Sequence, residues 1–559
     1  MRWRFAKYVS TLRGYAEENG VKDIPFVVNI HGTGACRGFT YPIGISQLFE
    51  SYTQEPGYIS GSDIYFGNLT MDNFQDLYIC NAFMDSVHNE DQPLTSVEFE
   101  AGDGNYSTFY SARYDVSAVD FKTRMCIAQG NRLLNYYLIA GGRNYRFDEI
   151  DLNDGNNRIA FTGERHGFAA PISPEGELNY TYPRMARVIK TMLANNEKIA
   201  SMTEEHDNLA VAFIPDYYMT EYCYQGSDKA KALKANIEKN RNLEGWETVG
   251  RAALLLNYKF NSIDIQNREI TDHHKTIIVF SAKYMAKNIQ ENLKNHMENG
   301  GGVFIYGEIP YLDMEGNPCT VLADAIGAKS STDIEGSHLY SLSVYGCDFA
   351  EDRPEVRLWR GQTHDIERGT ALLKEYGTDK VCSFKSEVGK GKCIVLSGNY
   401  STDLEFFKRC FHYLGAKQSL THDCSHHGLF MTNTVNESNE KYVHIINLDG
   451  FDKEFHVYSN GEKLFDGRKI TLSNKDGVML PINVTFNGIT INYATGEITN
   501  VSENKIEFRL TQAQDVISVT TDKEVIPSDD YEVVVIEDKT IIKSLKHSKV
   551  DDCLVVNFR

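Results

Sequence analysis

Three acidic residues crowd the end of one short apolar stretch. In Leu94-Thr-Ser-Val-Glu-Phe-Glu-Ala-Gly-Asp-Gly-Asn-Tyr106, Glu98, Glu100 and Asp103 stand beside Gly102 and Gly104. Residues 95–99 are expected to form a strand, because Val97 and Phe99 favour β structure and the glycines stop it. A carboxylate at the carboxyl end of a strand, ahead of a glycine turn, is where α/β barrels carry catalytic groups. The alternative is a buried strand with solvated acids at its end, since structural carboxylates are common. Strict alternation places Glu98 and Glu100 on the same side of the strand, opposite Phe99.

Two later stretches join the first. Arg132-Leu-Leu-Asn-Tyr-Tyr-Leu-Ile-Ala-Gly-Gly-Arg-Asn144 reads as a second strand ending at Gly141-Gly142. Phe168-Ala-Ala-Pro-Ile-Ser-Pro-Glu-Gly176 reads as a turn before a helix near residues 182–194. In this order the three motifs resemble glycoside hydrolase family 35, the β-galactosidases. The resemblance implies a retaining, cofactor-free hydrolase of β-galactosides or related oligosaccharides. It makes Glu98, four residues before Gly102, the nucleophile. Glu100 falls where the family usually has an aromatic residue, and Asp103 where it has a tryptophan. The polar and aromatic groups expected to bind substrate are Asn29, His31, Tyr65, Glu100, Asn135 and Tyr137. For Asn29 and His31, capping of the strand end is the competing role.

Retaining chemistry needs a second carboxyl about 5–5.5 Å from the nucleophile, as acid/base. The resemblance implies a glutamate after an asparagine at a strand end. The Asn-Glu pairs are Asn89-Glu90, Asn196-Glu197, Asn436-Glu437 and Asn439-Glu440. None is expected to end a barrel strand. Strand and helix alternate from the start: helix 1–19 (Phe5, Val9, Leu12 and Ala16 on one face), strands at 24–30 and 60–66, helix 71–87, the strand at 95, helix 117–129 and the strand at 133. No helix is assigned between residues 30 and 60. Four strands are half of a (β/α)₈ barrel. The family places the nucleophile on the seventh strand, so these would be strands five to eight. The expectation is a C-terminal half-barrel over residues 1–200, lacking its acid/base and inactive alone. The alternative is a non-catalytic carbohydrate-binding or assembly protein.

Residues 204–208 read as a polar linker. A doubly wound α/β pattern follows over 205–417, with a β-rich insertion near 335–385. This part resembles the amidotransferase-like trimerisation domain of family 42 β-galactosidases. Its turn Gly307-Glu-Ile-Pro310 has no cysteine, so the expected role is structural, with a homo-oligomer as the assembly. Residues 418–559 show short alternating strands between Asn, Asp and Gly turns, the pattern of a β-sandwich.

Composition narrows the classes. A net charge of −20 over 559 residues argues against nucleic acid as a partner. No apolar run is long enough to span a membrane, and Met1-Arg-Trp-Arg-Phe lacks the apolar core of a signal peptide. The eleven scattered cysteines suggest reduced thiols and a cytoplasmic home. The His-rich segment 421–427 matches no standard zinc spacing, so no metal is expected. Gly389-Lys-Gly-Lys392 lacks the full phosphate-loop spacing and reads as a hairpin turn.

Overall fold

The structure is a computed structural model. It describes residues 1–30, 40–102, 114–143, 165–167, 170–220, 222–241, 244–271, 273–401, 403–545 and 552–559.

The first part is a four-stranded parallel sheet with helices on one side. Its elements are α1 (Arg2–Glu18), β1 (Phe26–Ile30), α2 (Thr40–Thr53), β2 (Tyr58–Ile64), α3 (Phe74–Val87), β3 (Leu94–Glu100), α4 (Ala118–Ala128) and β4 (Asn131–Tyr137). The strands lie in the order β1-β2-β3-β4. Every neighbouring pair is parallel. Helix α2 is the element that sequence reasoning missed. Pro42 and Gly44 make it a poor helix by propensity. It forms because proline is tolerated in a first turn and because Ile45 and Tyr52 are fully buried.

Helix α1 departs from expectation. Of its predicted apolar face, Phe5 and Leu12 are exposed, and so are Trp3, Tyr8 and Tyr15; its one buried residue is Ala6. In helix α5 (Tyr182–Ala194), Met192 and Val188 pack with Tyr442, Met479 and Val484 of the C-terminal part.

The second part is doubly wound. Its parallel strands are β5 (Leu209–Phe213), β6 (Asn261–Asp264), β7 (Thr276–Ser281) and β8 (Gly302–Gly307). The β-rich excursion includes β9 (Ala328–Glu335), β10 (Arg360–Ile366) and β11 (Val381–Val388); β12 (Gly391–Leu396) then returns to the sheet. The parallel order β6-β5-β7-β8-β12 is the flavodoxin-like arrangement. Helices α6 (Asp228–Asn240), α7 (Lys287–Glu298) and α8 (Leu404–Leu414) accompany it. Gly389 and Lys390 form the tight turn between β11 and β12, as expected of a hairpin.

This sheet and the helices of the first part share one hydrophobic core. Phe83 of α3 stacks on Phe213 at 4.5 Å and meets Trp246 edge-on at 5.5 Å. The segment expected to be a polar linker is instead built in. Thr203–Glu204 adds a strand to the C-terminal sheet, and Glu204 accepts hydrogen bonds from Tyr78 and Thr432.

The C-terminal part is an eight-stranded sheet, mostly antiparallel hairpins, with smaller sheets closing two separate apolar cores over it. A buried ion network ties it to α4 and α5. Arg124 binds Asp120 at 2.6 Å and Glu497 at 2.5 Å. Arg184 and Arg187 bind Asp476 at 2.9 and 2.8 Å, and Arg509 binds Asp476 and Glu497 at 3.1 and 2.8 Å. Burial alone would raise these carboxyls. The surrounding guanidiniums outweigh it and hold Asp120, Asp476 and Glu497 below the usual carboxylate range.

Candidate functional site

One face of the four-stranded sheet carries the helices, and the other is bare. Register sets which residues share the bare face. Asn29 lies opposite Gly61, and Val27 opposite Ile59. A Cβ on Gly61 would meet Val27 and Val97 at 2.7 and 2.9 Å, so glycine is needed where three strands crowd. Strand β3 bulges here. Between Ser96 and Glu98 it spends two residues against one of β2, so that Glu98 comes opposite Asp63. Phe99 then points into the buried core and meets Tyr136 edge-on at 5.3 Å.

The bulge gathers a row of polar groups. Tyr65 donates its phenol hydrogen to Glu98 Oε2 at 2.7 Å. Burial, and after it the bond to Glu98, push the Tyr65 phenol far above its ordinary value, so it stays a donor. Tyr137 meets the Tyr65 ring edge-on at 6.2 Å. Asn29 Nδ2 donates to Asp63 Oδ1 at 3.1 Å. Asn135 Nδ2 donates to the Val97 carbonyl at 2.8 Å, bracing the bulge. Five of the expected residues, Asn29, Tyr65, Glu98, Asn135 and Tyr137, therefore share one region. Asp63 was missed. Its signal was available, two residues before Tyr65 near the carboxyl end of the neighbouring strand.

Glu100 takes up a different set of partners. It is buried, accepts from the Gly67 N–H and the Tyr114 hydroxyl at 2.6 Å each, and pairs with the Lys122 ammonium. A fully buried lysine on α4 needs a counter-charge, and Glu100 supplies it. Its oxygens are taken up by these three partners. His31 and Asp103 lie outside the described residues.

No Asn-Glu pair stands at the carboxyl end of β1 to β4 among the described residues. Asn89 bonds the Thr53 carbonyl. Glu440 is tied to Lys198 at 2.7 Å in the C-terminal part. Among the described residues no helix is long and apolar enough to cross a membrane, and no group of three or more His, Cys, Asp or Glu could hold a metal.

Known proteins share this build. Residues 228–357 match the family described as GLMA-like, second domain. A β-1,2-glucosyltransferase from Ignavibacterium album is 22% identical over 410 residues, 70% of this chain and 52% of that protein. An exo-β-D-glucosaminidase from Pyrococcus horikoshii is 23% identical over 399 residues, 68% of this chain and 46% of that protein. The chain thus spans about half the length of these curated relatives. Among solved structures, a β-galactosidase from Bacillus circulans sp. alkalophilus superposes with a TM-score of 0.63 at 14% identity, covering 86% of this chain and 67% of that one. Gan42B, a GH42 β-galactosidase from G. stearothermophilus, gives 0.59 at 13% identity, covering 82% and 64%. At these identities the structural likeness speaks to fold. It falls on family 42, and the family 35 resemblance gains no support from it.

Proposed function

We propose that this chain comprises the carboxyl-terminal half of a retaining β-glycosidase barrel together with its doubly wound and C-terminal β parts, acting on a β-galactoside or related oligosaccharide. The observation that carries this reading is the Tyr65–Glu98 pair at 2.7 Å on the bare face of a parallel sheet. Two features support completion by four further strand–helix units. Among the described residues, strands β1 and β4 end the sheet with unpaired edges, and Val27 and Leu133 lie exposed on a face that a barrel would fill.

In this mechanism a Glu98 oxygen attacks the anomeric carbon and a glycosyl–enzyme ester forms. The departing oxygen takes a proton from an acid in the missing half, help worth about 10²–10⁴-fold. Tyr65 orients Glu98 and leaves its second oxygen for attack. Asn29, Asp63, Asn135 and Tyr137 line the sugar's path. The doubly wound part serves as a self-association module, checked by light scattering on the whole chain; a monomer at high concentration would rule that out.

The test uses an aryl β-galactoside and a 2-deoxy-2-fluoro galactoside. Residues 1–559 alone should be inactive. The chain joined by the missing half-barrel in trans should turn over, and Glu98 should carry the fluorosugar. Glu98→Gln should abolish turnover, and Tyr65→Phe should lower it about tenfold. Turnover by residues 1–559 alone, or a label elsewhere, would overturn the assignment. The absence of an acid/base among the described residues favours one second reading, a non-catalytic carbohydrate-binding protein. In that case the joined halves would bind sugar and never become labelled.

A further inference from the structure

The doubly wound part holds a polar cavity that the barrel does not use. It measures about 150 Å³ and lies where β8 and β12 end, between α6 and the paired strands β9 and β10. Open α/β sheets take their ligands at the carboxyl ends of such strands. Gly307 closes β8 with φ of +107°, and a Cβ there would sit 2.4 Å from the Ser281 carbonyl oxygen. The next residue, Glu308, is turned inward and buried. It accepts from Asn236 at 2.9 Å, Asn240 at 3.0 Å and Lys239 at 3.3 Å.

The charge count constrains the ligand. Glu244, Glu308, Asp333 and Glu335 line the cavity against Lys239 and Arg360. Both cations are already engaged. Arg360 binds Glu244 at 3.0 Å, and Lys239 sits between Glu308 and Asp333 at 3.3 and 3.6 Å. Acceptors are therefore in surplus, and an anion would be repelled. Gln362 sharpens the point. It is 9% exposed and donates to Asp333 at 2.8 Å, while its Oε1 has no hydrogen-bond partner among the described residues. Buried amide oxygens are normally paired, so this one calls for a donor.

Ser397, on the cavity wall, is not poised as a nucleophile. Ser397 Oγ donates to the Gly307 carbonyl at 2.6 Å and lies 2.9 Å from His364 Nε2. With its own proton committed, the serine accepts from His364 Nε2–H, and Nδ1 accepts from Ser331 at 2.8 Å. That imidazole has no free lone pair to activate Ser397 as a nucleophile.

We propose that this cavity binds one monosaccharide-sized ring through its hydroxyl or ammonium donors, without cleaving it. The volume is below the 300–1,000 Å³ of drug-sized pockets, which limits the ligand to a single ring. Binding here is independent of the barrel reading.

The test is calorimetric titration of the full chain with galactose, glucosamine and inorganic phosphate in turn. One-to-one saturable binding of galactose, of glucosamine or of both is expected. Galactose alone would identify hydroxyl donors, and glucosamine alone an ammonium. Gln362→Leu should weaken binding about tenfold. Asp333→Asn, at a carboxylate whose side chain is 65% exposed and whose loss should not affect folding, should weaken it several-fold. Glu98→Gln should leave it unchanged. No saturable sugar binding, phosphate binding more tightly than sugar, or loss in Glu98→Gln with none in Asp333→Asn would each overturn the proposal.

Discussion

The molecule contains two parallel sheets, and they are finished differently. In the doubly wound sheet both faces are covered. Leu209, Val211, Ile277, Val279, Val303 and Ile305 are each 0% exposed, and β5 and β7 read as continuous apolar runs. In the four-stranded sheet β4 alternates, and its outward set mixes Leu133 with Asn135 and Tyr137. Parallel strands are normally buried on both faces. A surface polar throughout would be a solvent face. Apolar residues at its base, with a carboxylate and tyrosines near its carboxyl end, are what the proposed half-barrel reading expects of an interior face.

The largest expected effects lie where the four-stranded part is joined to the doubly wound sheet and to the C-terminal part. Phe83→Ala removes a ring packed between Phe213 and Trp246, and should cost about 3–5 kcal/mol. Arg124→Met leaves Asp120 and Glu497 without their central cation and should cost about 3–5 kcal/mol. Urea unfolding monitored by tryptophan fluorescence measures both. A loss below about 1 kcal/mol for Phe83→Ala would break the claim that the two sheets share one core.

A smaller effect is set by acid. Asp120, Asp476 and Glu497 have folded-state values below their ordinary ones, against burial, because Arg124, Arg184, Arg187 and Arg509 surround them. A depressed carboxyl contributes stability that is present above its unfolded value, about 4, and is lost as pH falls through the folded value. The melting temperature should therefore drop steeply below about pH 4. Asp476→Asn should flatten that slope while lowering the neutral-pH value. An unchanged slope would place the acid sensitivity elsewhere.

Much of this was legible in the sequence, and the failures have physical causes. Within the doubly wound pattern read over 205–417, residues 276–281 form a strand and 404–414 a helix. Strong local periodicity and the Gly415 stop leave little to context. Helix α2 was hidden because Pro42 and Gly44 oppose it, and only tertiary burial decides. The partners of Glu100 were not legible, because alternation along β3 cannot show a lysine 22 positions later that claims it. The linker was misjudged because Glu204 reads as solvated until Tyr78 and Thr432 are brought beside it. The cavity around Gln362 draws residues from 239 to 398, and no local pattern announces it.

The smallest expected effect discriminates best between the two sheets. Leu133 is 43% exposed on the bare face. Replacing it with threonine keeps a β-favouring side chain and removes apolar surface that is already wet. In residues 1–559 alone, Leu133→Thr should change stability by no more than about 0.5 kcal/mol. If the face is half of a barrel, the same leucine becomes buried once the other half is supplied, and losing it then costs about 1.5–3 kcal/mol of apolar burial. The substitution should be silent in the chain by itself and weaken its association with the added half roughly tenfold or more. Ile277→Thr, in the sheet that is already closed, should be costly in both settings. Equal small effects of Leu133→Thr in both settings would show that the bare face is meant for solvent, and the half-barrel reading would fall with it.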